Sequence, residues 1–262
     1  MRWEGLTSPD FAKAVRETGV CILPMGVLEK HGEQLPLGTD YLIAHEIALQ
    51  AARIEPAVVF PPFYFGQINE ARCFPGTVST PPIMLIELVQ AVLDEIGRNG
   101  FRKIILFNWH GGNPHLIGYL VGMQNWEEKN YVLYVPHRLE TPERQEKHLK
   151  LLESGSGGHG GEYETSIMMA LEPEMVKMED VAQEPAPGLG RQDHLKGIGT
   201  ATSWYAKYPE HYSGDARPST AEKGKIFVQS VVDTLVEYIR AVKKDEAAPM
   251  LKDEFFKRTR EL

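Results

Sequence analysis

Residues 19–48 read GVCILPMGVLEKHGEQLPLGTDYLIAHEIA. The first part, Val20 to Leu23, is an unbroken apolar run that stops at Pro24. An apolar run without polar alternation suits a strand buried on both faces, and such strands belong to parallel sheets covered by helices. Behind it, Glu29, His31 and Asp40 arrive in quick succession among glycines and prolines. Then DYLIAHEIALQAARI (40–54) sets Leu42, Ile43, Ile47 and Ala51 at helical spacing. The unit is a buried strand, a charged turn and a helix, and its repetition decides the fold.

The unit recurs downstream. AVVFPPFYFG (57–66), KIILFNWHGG (103–112) and YVLYVP (131–136) are strand-like. Helical segments alternate with them. In TSPDFAKAVRET (7–18), Ser8 is a candidate cap with Pro9 at the first helical position. TPPIMLIELVQAVLDEIGRNG (80–100) ends on Asn99-Gly100, a helix stop. Asn113 is placed to cap PHLIGYLVGMQNWEEKN (114–130). The expected architecture is α/β: three layers, α/β/α, around a central, mainly parallel sheet. Beyond residue 137 come a charged helix, a glycine-rich stretch and a short buried helix in ETSIMMALEPEMV (164–176). A long ordered loop over about 182–219 and a closing helix over about 219–244 follow, the helix carrying Phe227, Val231, Leu235 and Ile239 near one stripe. No repeat and no flexible linker interrupts the chain, so one domain over 1–262 is expected, with residues 248–262 as a tail or an oligomer contact.

Bulk properties narrow the function. The 262 residues carry a net charge of −8 and a pI near 5.6, with no Lys/Arg cluster, so a nucleic-acid surface is not expected. No apolar stretch reaches the length of a membrane span, and the polar N-terminus has no signal-peptide pattern. Cys21 and Cys73 form no metal or redox motif. The expectation is a cytoplasmic protein with a small-molecule substrate and neither nucleic acid nor membrane as partner.

Chemistry collects where strand-like runs end, as it does in open α/β sheets. Glu29, His31 and Asp40 follow the first run; Asn108-Trp109-His110-Gly111-Gly112-Asn113 ends the third; His159 to Ser166 follows the glycine-rich stretch. A lone His-Gly after a strand is ordinarily structural, and His45, His115 and His148 lie within helical segments, where structural or solvated roles suffice. His137, His194 and His211 are left undecided. His31, His110 and His159 differ, because each sits in a glycine-rich turn beside carboxylates or amides. His, Asp and Glu without thiolates suit Zn, Mn or Fe(II). Among supporting residues, Asn108 and Asn113 are read as fixing the turn around His110, and Thr39 as orienting Asp40.

LPMGVLEKHGEQLPLGTD (23–40), FPGTVS (74–79), NWHGGN (108–113), GGHGGEYETS (157–166) and GDARPSTAEKG (214–224) together resemble the creatininase (creatinine amidohydrolase) family, in the family's order. The resemblance implies a creatininase-like fold, a homo-oligomer (often a hexamer) and two divalent metal ions per chain, of Zn, Mn or Fe. Carried over by residue, Glu29 and His31 are ligands on opposite sides of the pair and Asp40 bridges it. His110 joins Glu29 on the first ion. Creatininase supplies a carboxylate two residues after the histidine that matches His110; here that position is Gly112, and Glu162 is the expected replacement, joining His31 on the second ion. A mononuclear site is the alternative should Glu162 not reach. His159 matches a histidine proposed to handle protons, so His159 and Glu162 are the expected catalytic residues. Glu164 either orients a ligand or positions Thr165, or is a buried hydrogen-bonded carboxylate.

The implied activity is hydrolysis of a non-peptide C–N amide bond, in a cyclic amide or formamide, by a metal-bridged hydroxide. The runner-up is a hydrolase or isomerase of a cyclic polyol derivative, such as a keto-inositol or lactone-like ring. A catalytically silent ligand-binding or scaffold member is the alternative of another class. Arg72, Glu70 and Trp109 are candidate substrate contacts, with Arg72 suited to a carboxylate or phosphate or to pairing with Glu70. Trp204, Tyr205 and Tyr208 are either lid residues over a neighbouring subunit's pocket or aromatic packing within their own loop.

Overall fold

The computed structural model describes residues 1–262. Four strands, β1 (Val20–Met25), β2 (Val58–Val59), β3 (Lys103–Asn108) and β4 (Val132–Tyr134), form one parallel sheet in the order β2-β1-β3-β4. The long pairing is central: Val20 faces Lys103 and Met25 faces Asn108, so β1 and β3 end level with each other. AVVFPPFYFG yields only the two residues of β2, because Pro61 and Pro62 lack the N–H that further pairing needs.

Nine α-helices accompany the sheet: α1 (Ser8–Thr18), α2 (Thr39–Ile54), α3 (Pro82–Arg98), α4 (Pro114–Met123), α5 (Pro142–Leu149), α6 (Glu162–Leu171), α7 (Ser203–Lys207), α8 (Ala221–Lys244) and α9 (Ala247–Arg260). Alternate residues of the strands feed two cores. Val20, Ile22, Val59, Ile105 and Phe107 pack with α2, α6 and α8 on one face. Cys21, Leu23, Met25, Val58, Ile104 and Leu106 pack with α3 and Ala14 of α1 on the other. Strands buried on both faces account for the continuous apolar runs. Phe227 of α8 is fully buried, its ring 4.8 Å from that of Tyr163 and 5.0 Å from that of His148. Burying such a side chain contributes about 1.5–3 kcal/mol.

Local signals act one residue away from their expected places. The cap of α1 is Thr7, which accepts from the Asp10 N–H, and Ser8 opens the helix. Asn113 occupies the cap position of α4 without capping it, because its amide is engaged elsewhere, as described below. The charged segment after residue 137 holds α5, whose His148 is buried beside Glu140 rather than solvated, with Nδ1 to Oε1 at 2.6 Å. The 182–219 stretch contains α7, and residues 248–262 fall largely within α9.

Candidate active site

Because β1 and β3 end together, the turns that follow them converge. Asp40 enters on the first turn of α2, and His110 follows β3 two residues beyond its end. Asn108 holds the second turn: its Nδ2 donates to the His110 carbonyl at 2.8 Å, and its Oδ1 accepts from the Asn113 amide at 2.8 Å. Asn113 Oδ1 accepts in turn from the Gln67 N–H at 2.8 Å. Both asparagines therefore brace the His110 turn. Thr39 does not orient Asp40; its hydroxyl donates to the Pro36 carbonyl at 2.7 Å.

The third turn is delivered by Gly160, whose φ of +65° is left-handed and whose missing side chain leaves room for the His31 backbone; a Cβ there would lie 2.7 Å from the His31 carbonyl. Gln34 ties the first turn to the third, donating to the Gly160 carbonyl at 2.6 Å and to the Thr165 hydroxyl at 3.2 Å.

Glu29, His31, Asp40 and His110 are brought together and buried. Asp40 divides its oxygens: Oδ1 lies 3.2 Å from His31 Nε2, and Oδ2 lies 2.9 Å from His110 Nδ1. Glu29 Oε1 is 2.8 Å from the same His110 Nδ1. The other ring nitrogens fix the orientation. His110 Nε2 donates to the Gln67 carbonyl at 2.8 Å, and His31 Nδ1 to the Glu29 carbonyl at 3.2 Å. Each imidazole thus turns its remaining nitrogen to the carboxylates, the arrangement by which backbone carbonyls orient metal-binding histidines.

Three groups of side chains have ligand atoms close enough to hold an ion: Glu29, Asp40 and His110; His31, Asp40 and Glu164; and Glu29, His31 and His159. Glu29 Oε1 and Asp40 Oδ2 are both buried against the single His110 Nδ1, which has at most one proton to give the two of them. Buried anionic oxygens are costly unless enough positive charge meets them. The donor set of carboxylates and imidazoles suits Zn, Mn or Fe.

The balance of charge points the same way. Burial alone would lower His31, but the carboxylates of Asp40 and Glu29 outweigh it and raise the imidazole to about 10. His110 is likewise held well above the usual histidine range, against burial, by Glu29 and Asp40. Glu29 and Asp40 are lowered in return, against their own burial. His159 goes the other way: burial, reinforced by His31, lowers it to about 3. Its ring stacks on His31 at 4.3 Å, and its Nε2 donates to the Lys30 carbonyl at 2.9 Å.

Glu162 does not join the cluster. Its Oε2 accepts from the Ser154 N–H at 2.8 Å, and its Oε1 takes the Lys223 ammonium at 2.6 Å and the Glu153 N–H at 3.2 Å. That shell of donors lowers it despite its burial and leaves it as a structural carboxylate. Glu164, two residues on, reaches the cluster instead; its Oε2 accepts from the Gly160 N–H at 2.6 Å, and burial raises it to about 7.

Around these groups is a cavity of about 180 Å³, lined by Glu29, Asp40, Glu70, His110, Gly111, Gly112, His159, Glu164, Trp204 and His211. Of the expected substrate contacts, Glu70 alone lines it. Arg72 is exposed outside it, and Trp109 is buried, its ring parallel to that of Tyr163 at 6.3 Å. Trp204 lines the cavity, whereas Tyr205 lies outside it against Arg191. His211, undecided on sequence alone, is buried with its Nε2 2.5 Å from Glu29 Oε2. The available signal was its place just before GDARPSTAEKG.

The family described as Creatininase, creatinine amidohydrolase, matches residues 4–239. The creatinine amidohydrolase of Pseudomonas putida is 26% identical over 247 residues, covering 84% of this chain and 88% of that protein. The 3-dehydro-scyllo-inosose hydrolase of Thermotoga maritima is 25% identical over 260 residues, covering 92% and 83%. Among solved structures, a mutant creatininase of Zn-Zn type superposes with a TM-score of 0.78 at 23% identity, covering 92% of this chain and 97% of that one.

Proposed function

The chain belongs to the creatininase family of amidohydrolases, and from that premise we propose that it is a metal-dependent hydrolase cleaving a non-peptide C–N amide bond in a small polar molecule. The observation that carries the proposal is Asp40, whose two oxygens face two histidines from two acidic clusters. Glu29, Asp40 and His110 would hold one divalent ion, and His31, Asp40 and Glu164 a second. Bound there, such ions would supply the positive charge that polarises a carbonyl and lowers the pKa of water.

The protein's own groups supply the rest. Burial keeps His159 neutral. It lines the cavity with Nε2 2.9 Å from the Lys30 carbonyl and 3.8 Å from Glu29 Oε2, so an imidazole that can relay a proton stands beside the cluster. Trp204 walls the cavity and limits water around the reacting atoms.

The cavity bears on substrate class. About 180 Å³ admits a small molecule, and no Lys or Arg lines it. Glu70 adds a carboxylate, steadied by the Gln67 amide, which donates to its Oε2 at 3.1 Å. Such a wall favours a neutral or cationic substrate with hydrogen-bond donors and disfavours a phosphorylated one. A cyclic amide fits. The same wall favours a second reading, a neutral cyclic polyol derivative like the substrate named for the Thermotoga maritima relative.

Elemental analysis of protein purified without chelators tests the proposal. About two transition-metal ions per chain are expected, with hydrolysis of a cyclic amide, formamide or polyol ring that stops on their removal. Absence of ions, with no activity restored by Mn or Zn, would favour a binding protein.

A further inference from the structure

We propose that His211 is a positioning residue for Glu29, and that Trp204 sets its tautomer. The inference rests on the reading of Glu29 as a metal ligand. Glu29 uses its two oxygens differently. Oε1 faces His110 Nδ1 at 2.8 Å, while Oε2 meets His211 Nε2 at 2.5 Å. A carboxylate accepts only, so His211 Nε2 must carry the proton. The reason it does so lies on the far side of the ring. The Trp204 indole N–H, which can only donate, lies 3.1 Å from His211 Nδ1. Nδ1 is therefore the acceptor, and a neutral His211 has its one proton on Nε2. The indole, the imidazole and the carboxylate form a directed chain, each group donating to the next.

The chain is built rather than incidental. His211 is 2% exposed, and it is the sole non-glycine residue with a left-handed backbone, φ +52°. That conformation is uncommon for a residue with a side chain and is held where the surroundings demand it. The His211 N–H donates to the Tyr208 carbonyl at 3.1 Å, and the ring packs edge-on to His159 at 4.7 Å. The consequence for Glu29 is that Oε2 is occupied. Oε1, 2.8 Å from His110 Nδ1, is the oxygen that this leaves turned towards the group formed with Asp40 and His110. Trp204 also lines the cavity, so a molecule bound there touches the first member of the same chain.

The test is zinc affinity of the full-length protein, measured for each ion by competition with a chromophoric chelator, with melting temperature of the metal-free protein as a control. In His211→Ala, one of the two ions is expected to bind roughly 10–100-fold more weakly, the range typical for groups that orient a ligand, while the other changes little. His211→Gln, which keeps an N–H toward Glu29, is expected to recover most of that loss. Trp204→Phe, which removes the indole donor but keeps the packing, is expected to weaken the same ion to a lesser degree. Equal weakening of both ions with a lowered melting temperature, or unchanged affinities in His211→Ala, would overturn the positioning role. Unchanged affinity in Trp204→Phe alone would overturn the tautomer relay. A wild-type protein that binds no zinc would instead overturn the reading of Glu29 as a ligand.

Discussion

Glu162 and Glu164 stand two residues apart on the first turn of α6 and point opposite ways: Glu162 to Lys223, Glu164 to the Gly160 N–H beside Asp40. Two steps of 100° along a helix place side chains on opposite faces, so only one of the pair can enter the cluster. Glu164→Gln is therefore expected to lower metal content by about one ion per chain and to abolish turnover, with little loss of stability. Glu162→Gln is expected to keep its metal and to lose roughly 1–3 kcal/mol of stability as the Lys223 and backbone bonds weaken. Elemental analysis beside thermal unfolding separates the two variants.

Gly112 is closed to a replacement carboxylate. A Cβ there would lie 2.4 Å from His110 Nε2 and 2.8 Å from the Gln67 carbonyl, on the bond that orients His110. Gly112→Glu is expected to reduce activity in the wild-type background and to restore nothing to Glu164→Gln. Recovery of metal content in the double variant would show that the turn can open to admit the longer side chain.

Metal uptake should be coupled to proton release. His31 is raised to about 10 and His110 well above its usual range in the absence of ions, so both are protonated at neutral pH. Binding must displace those protons, about two per pair of ions. Affinity is expected to rise with pH from neutrality towards about 10, where His31 loses its proton unaided. The sign for stability is opposite. A raised histidine stabilises the metal-free fold fully below its ordinary pKa, and that contribution is lost as pH passes through about 10. Calorimetric titration in buffers of different ionisation enthalpy reads the first effect. Melting in chelator across alkaline pH reads the second.

Gly224 allows α8 to lie against α6; a Cβ there would stand 1.8 Å from the Ser166 carbonyl and 2.9 Å from Ala170 Cβ. Gly224→Ala is expected to cost about 1–3 kcal/mol as the helices part. Because α6 carries Glu164, metal content should fall in the same variant, which elemental analysis and a melting curve together can read.

The α/β architecture is legible in the sequence because β1 and β3 meet no water on either face. Continuous apolar runs such as Val20–Leu23 and Ile104–Phe107 are the direct result of that double burial. The cluster of Glu29, His31, Asp40 and His110 is legible for a related reason: its members follow strands whose ends the topology brings level. The placement of Glu162 outside the cluster is not legible, because two glutamates share one helical turn and Glu162 is drawn aside by Lys223, which lies 61 residues away. His211 escapes because it approaches Glu29 across 182 residues from a loop with no periodic pattern, in a backbone conformation that histidine rarely adopts. Thr39 turns to the Pro36 carbonyl instead of Asp40, and Asn113 braces the His110 turn at the expense of capping its helix, since backbone carbonyls and amides compete for the same side chains.

The arrangement of the cluster along the chain has a consequence for biosynthesis. Glu29, His31, Asp40 and His110 emerge early from a ribosome, whereas His159, Glu164 and His211 follow only after another 49 to 101 residues. Gln34 cannot fasten to Gly160 before then. The first four groups are thus synthesised before the partners that close the pocket around them. The complete group can therefore assemble only after residue 211 has been made.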